Sequence, residues 1–171
     1  MNTLKFEHQL NEDDYVAFLL FSVFEKKRFN KIFLLYVTPL LGFLFLFYFI
    51  FMGEPDFFAI FISSFLFIFG PFFRWLYEYL GKKAFRKSTL LEVKSEIIFS
   101  DETIEANSER GNSKYCYTDI SNVYETKRHF IIYLGMLNYI GLVKLNMGES
   151  MTDQIRTILQ EKVSEKYIDR S

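Results

Sequence analysis

The chain has 171 residues and a formal net charge of −1; half of its residues are hydrophobic and 22 are Phe, yet charged residues still make up 24 %. Such a mixture requires apolar and polar residues to be segregated along the chain, which argues against an ordinary soluble domain and for a small membrane protein with a polar part. The single cysteine, Cys116, has no partner for an internal disulfide, in agreement with a reducing cytoplasmic face.

Leu4, Phe6 and Leu10 alternate with polar neighbours, as a half-buried strand would. Asn11 is placed to cap a helix that opens on Glu12, Asp13 and Asp14. That helix is expected to run through the apolar segment Tyr15–Phe24 and on, nearly unbroken, into a first span. Acids rather than basic residues precede the segment and no small-residue cleavage site follows it, so it does not read as a signal peptide.

Residues 32–52 carry no charge, and at about 1.5 Å per residue they reach roughly 32 Å, the thickness of a bilayer core. Residues 57–73 form a second uncharged run, which Arg74 can extend to residue 77 by snorkelling its guanidinium to the headgroups. Neither run has the polar face that a buried helix of a soluble protein would show. Gly53, Glu54, Pro55 and Asp56 between them read as the tip of a transmembrane hairpin, with Pro55 at a first helical position and Asp56 at a helix N-terminus.

The tip has no Lys or Arg. Basic residues gather at the other end: Lys26, Lys27, Arg28 and Lys31 before the first span, and Arg74, Lys82, Lys83, Arg86 and Lys87 around the exit of the second. The positive-inside rule then places both termini in the cytoplasm. These nine residues form a membrane-surface basic cluster; setting topology accounts for them, and contact with anionic or PIP-like headgroups is the alternative role.

From about Ser88 the chain is polar and cut by turn-forming clusters at residues 100–102, 109–112, 127–129 and 135–138. The intervening segments, 96–99, 103–107, 114–117, 120–126, 130–134 and 139–145, are rich in Ile, Val, Tyr and Phe and predict an antiparallel meander of five or six strands. Ser150 and Asp153 offer a cap, and Ile155, Ile158, Leu159 and Val163 fall at helical spacing, so an amphipathic helix is expected to pack on the sheet. The scheme is therefore an α+β membrane protein: an N-terminal strand and juxtamembrane helix (1–31), a two-helix hairpin (32–77, with spans 32–52 and 57–77), and a small β domain with its helix (88–171), which the N-terminal strand is predicted to join.

No catalytic constellation can be nominated. His8 and His129 lie in different segments without acidic partners at metal-ligand spacing, and each reads as a plain polar residue. Cys116, between two tyrosines, reads as a small buried core thiol. Asp101, Glu102, Glu105 and Glu109 fit turns and a solvated strand face. The uncharged runs 32–52 and 57–73 hold no Asp, Glu, Lys, Arg or His, and Thr38, Ser63 and Ser64 are too few to line an ion path. No phosphate-cradling glycine motif occurs, and no cofactor, metal or nucleic-acid partner is expected.

The order of parts, together with E-I-I-F-S-D-E-T-I-E, Y-T-D-I-S-N-V-Y-E-T and F-I-I-Y-L, resembles the YcxB-like family of bacterial membrane proteins. The family's aromatic and Ile-x-x-Val-x-Glu pattern falls on Tyr117, Ile120, Val123 and Glu125, and Leu142, Val143 and Lys144 stand where the family commonly has Ile-Pro-Lys. The resemblance implies a PH-like cytoplasmic domain and no activity. The expected function is that of a non-enzymatic, multi-pass protein of the bacterial inner membrane, whose partners are the bilayer and a protein or lipid headgroup. The alternative is an immunity protein that shields its host membrane from a toxin. Self-association stays open.

Overall fold

The computed structural model describes residues 3–26, 32–51, 57–88, 94–109, 111–135 and 138–170. They divide into two compact units, one formed by residues 15–87 and the other by residues 1–14 with 88–171.

The first unit is helical. Helix α1 (Glu12–Leu20) begins at the boundary of the units, and Asn11 caps it: its Oδ1 accepts the N–H of Asp14 at 2.8 Å. Past Leu20 the helix widens into a π turn, Phe21–Glu25, where the N–H of Lys26 reaches the carbonyl of Phe21 at 2.7 Å. Whether it continues unbroken into the first span falls on residues 27–31, which lie outside the described ones.

Helix α2 (Phe33–Phe51) and helix α3 (Phe57–Lys87) are each long and apolar enough to cross a bilayer. The wide first turn of α2, Phe33–Val37, precedes Pro39, whose ring and missing N–H disturb a regular ladder. Thr38 donates its hydroxyl at 2.6 Å to the Phe33 carbonyl, which also accepts the Thr38 N–H. Ser63 and Ser64 likewise return their hydroxyls to the carbonyls of Ala59 and Ile60, so neither of these two hydroxyls is left without a partner.

The two helices run antiparallel and touch through glycine. A Cβ on Gly42 would lie 2.4 Å from the Phe67 nitrogen, and one on Gly70 would lie 2.0 Å from the Leu34 carbonyl oxygen. Backbone approaches this close are how helices associate where no hydrophobic effect drives them together. The predicted hairpin tip, Gly53 to Asp56, lies outside the described residues.

The described residues of the second unit form eight strands. Strands β1 (Leu4–Gln9), β2 (Lys94–Phe99), β3 (Thr103–Ser108) and β4 (Gly111–Cys116) form one antiparallel sheet in that order. The N-terminal strand joins the sheet as its sequence suggests, pairing Leu4 with Phe99 and Phe6 with Ile97. Strands β5 (Asn122–Glu125), β6 (His129–Tyr133), β7 (Tyr139–Val143) and β8 (Tyr167–Asp169) form a second sheet in the order β7-β6-β5-β8.

The expected single meander is thus two sheets. The cause is a corner after β4, where Tyr117–Asp119 makes one 3-10 turn and the Asp119 carboxylate accepts the Cys116 N–H at 3.1 Å, turning β5 away from β4. Strand β8 pairs parallel to β5, outside the expected antiparallel meander. Helix α4 (Gly148–Lys162) supplies the crossover that a parallel neighbour requires. It begins two residues before the predicted cap, and Ser150 instead accepts a bond from Gln154 at 3.4 Å.

One core joins these parts. Phe6, Ile97, Phe99 and Ile104 from the first sheet meet Val123, Phe130, Ile132 and Leu142 from the second, and Ile155 and Leu159 of α4, with Val163 just past its end, fill the remaining side. These three residues, with the partly buried Ile158, are the apolar stripe read from the sequence.

Candidate functional site

Among the described residues, every exposed large hydrophobic side chain except Leu145 lies between Ile32 and Leu80. Single exposed apolar residues are ordinary, but a continuous girdle of Phe, Leu and Ile on two packed helices is a surface for lipid or for another apolar body. Helix α3 is 31 residues long, or about 46 Å, so it outlasts a bilayer core by several turns. Its last turns carry Lys82, Lys83, Arg86 and Lys87, with Arg74 farther back beside Trp75. Lys82 is tied to Glu78 one turn earlier at 3.2 Å. Lys26 follows the π turn of α1, whereas Lys27, Arg28 and Lys31 lie outside the described residues.

In the second unit the polar chemistry is concentrated at two buried points. The first is Glu125, at the end of β5 and only 2 % exposed. Arg156 of α4 clasps it through Nε, at 3.0 and 3.1 Å from the two carboxylate oxygens, and through Nη2 at 2.7 Å. Lys144 Nζ donates at 2.5 Å, and the Tyr167 hydroxyl donates to the other oxygen. Lys144 also lies over the Phe130 ring, and Arg156 binds Asp153 as well.

Burial alone would raise the Glu125 carboxyl, but the bonds from Arg156, Lys144 and Tyr167 outweigh it and hold the group down to about 2. The same contact lifts Arg156 above its ordinary value, and burial together with the Glu125 bond lifts the Tyr167 phenol. This is a satisfied ion cluster that ties β5, the turn after β7, α4 and β8 together.

The second point joins both histidines of the chain. His129 Nε2 lies 2.8 Å from Asp14 Oδ1, across 115 positions of sequence. His8 is buried beside them and bonds the Gly141 backbone, and both its Nδ1 and the second oxygen of Asp14 are buried without a hydrogen-bond partner. Burial lowers the His8 pKa, opposed by the Asp14 charge and the Gly141 bond. β1, α1 and β6 carry His8 and His129 to one acid, Asp14, that sequence spacing could not reveal. His8 also contributes to an open groove of about 550 Å³ with Glu7, Asn11, Glu12, Lys94 and Asn146.

Cys116 is a further correction: it is exposed, not a buried core thiol. The register pairs it with Thr103, and Glu105 with Lys114, on the face opposite Phe6, Ile97 and Ile104, so its thiol stands on the solvated side of the sheet. The acidic stretch sits on the same side, where Glu105 meets Lys114 at 2.7 Å.

Residues 99–140 match the family model described as YcxB-like protein. Over this stretch the chain is similar to the YcxB-like family. No curated protein matches the chain. In the YcxB-like segment the pattern residues divide by role. Tyr117, Ile120 and Val123 are buried in the shared core, and the Tyr117 hydroxyl, pushed up to about 12 by burial, donates to the Ser100 carbonyl at 3.0 Å. Glu125 is the centre of the ion cluster, and Lys144, just beyond the segment, is one of its partners. Because Val123 and Glu125 share a strand face, burial of the Val implied burial of the Glu, a signal available in the sequence. Arg156 and Tyr167, the other partners, carried no such mark.

Proposed function

We propose that this chain is a non-enzymatic integral membrane protein whose hairpin holds a small PH-like domain at the cytoplasmic face of a bacterial inner membrane, where the domain engages a protein partner. The girdle of exposed Phe, Leu and Ile on α2 and α3 carries the membrane part of this reading, since water could cover it only at a large cost: about 25 cal/mol for each Å². Two sheets around one core with a C-terminal helix resemble a PH-like arrangement and support that assignment.

Strand β4 favours a protein as partner. It ends the order of its sheet, and its residues are exposed along nearly the whole strand, so one rank of backbone N–H and C=O groups is open to an added strand. A photo-crosslinker placed at Ser113 of the full chain in cells is expected to capture a discrete protein, with the same probe at Asp153 as control. Absence of any adduct above background from positions along β4 would remove the partner assignment. Release of the chain from membranes by carbonate would remove the anchor.

A further inference from the structure

The exit of α3 is two-faced. Gly81 and Phe85 are buried on one side. On the opposite side Phe72, Leu76, Tyr79, Lys83 and Lys87 recur at intervals of four, three, four and four residues, which puts them in one stripe. Its lower part is aromatic: the Trp75 ring lies 5.9 Å from Phe72 and 5.9 Å from Tyr79, stacked on the latter at 16°. Its upper part is cationic. Lys83 and Lys87 are exposed, and among the described residues neither has an ion-pair partner, whereas neighbouring Lys82 is neutralised by Glu78.

Tyr and Trp rings settle at the headgroup level of a bilayer, and Lys83 lies about 6 Å beyond Tyr79 along the helix, with Lys87 one turn farther. We propose that this stripe is a binding site for an anionic phospholipid: the acyl chain lies along Phe72 and Leu76, Tyr79 donates to the phosphate, and Lys83 and Lys87 hold the net negative headgroup. A zwitterionic lipid brings its own ammonium to the same place and gains little from two unpaired lysines. The inference rests on the membrane reading of the hairpin and adds to it a lipid class and the residues that select it.

Trp75 is the sole tryptophan and stands beside the stripe, so it reports on the site without a label. The full chain is reconstituted in vesicles mixing phosphatidylcholine with phosphatidylglycerol, one or the other carrying bromine on its acyl chains, and Trp75 quenching gives the relative occupancy of the two lipids. Phosphatidylglycerol is expected to occupy the site in clear preference. K83Q and K87Q should each reduce that preference roughly five-fold, the attraction of one cation near an anionic surface, and high salt should weaken it too. K82Q should leave it unchanged. Equal quenching by both lipids in the unmodified chain, or an effect of K82Q matching that of K83Q, overturns the site while leaving the hairpin in place. Absence of quenching by either lipid overturns both, because the helix would then not be in the bilayer.

Discussion

The carboxylate of Glu125 and the ammonium of Lys144 meet at 2.5 Å, although Glu125 belongs to β5 and Lys144 follows β7. The neighbouring β6 separates the two strands in the sheet, so the pair reaches across it, over the Phe130 ring. Removing the acid leaves Lys144 facing Arg156 with nothing between them. Glu125→Ala should cost about 3–5 kcal/mol, the usual penalty for breaking a buried ion cluster, and lower the thermal midpoint of the detergent-solubilised chain accordingly. Lys114→Ala, which breaks an exposed cross-strand pair, should change stability by less than about 1 kcal/mol.

The same acid sets an acid limit. Its folded pKa, about 2, lies below the ordinary value of 4.5, so its contribution is fully present above about pH 4.5 and is lost as the pH falls toward 2. Unfolding midpoints followed from pH 5 to pH 2.5 should decline, and Glu125→Gln should flatten that decline. A slope unchanged by the substitution would refute the assignment.

His8 acts earlier and by a different route. Because burial lowers its pKa below 6.5, the unfolded chain takes up this proton more readily, and stability should fall as the pH drops below about 6.5. His8→Asn should remove that step between pH 7.5 and 5.5 while leaving the Glu125 step at lower pH. Deuterium exchange at β1 would show where the loosening begins.

Gly70 tests the hairpin. A methyl group there would meet the Leu34 carbonyl oxygen at 2.0 Å, a clash with backbone that no rotamer relieves. Gly70→Val should force α2 and α3 apart, costing about 1–3 kcal/mol or more, and should be seen as lost resistance to denaturing detergent. Substituting exposed Phe61 by Leu should leave that resistance intact.

Cys116 offers a test of sidedness. Its thiol stands on the solvated face of β4, so a membrane-impermeant maleimide should label it in inverted vesicles and fail to do so in intact cells. Labelling of intact cells would place this domain on the outer side and refute the positive-inside reading.

The sequence reading succeeds where one residue's neighbours decide its state. Uncharged runs mark α2 and α3, Asn11 marks the start of α1, and alternation at Leu4 and Phe6 marks a strand. It fails where distant segments decide. The corner that turns the chain out of the first sheet after β4 is held by the Cys116 N–H on the Asp119 carboxylate and by the bonds of Tyr117 to Glu102 and of Ile120 to Tyr117. The inside or outside placing of Cys116 depends on register against β3, and a one-residue slip would bury it. The meeting of His8, Asp14 and His129 depends on three elements arriving together, which no local spacing encodes. Glu125 falls between: its strand parity betrays burial, and its partners on α4 and β8 do not show in any pattern.

The pairing of β1 with β2 bears on how the polypeptide is made. Strand β1 leaves the ribosome first, but the residues it must zip against follow only after both greasy helices have been translated, several seconds later at ordinary elongation rates. Through that interval Leu4 and Phe6 have no β2 partner, because α2 and α3 are still being made. Closing the first sheet is therefore a late event of biogenesis, and it brings together the two flanks of a loop whose middle, α2 and α3, has already been made.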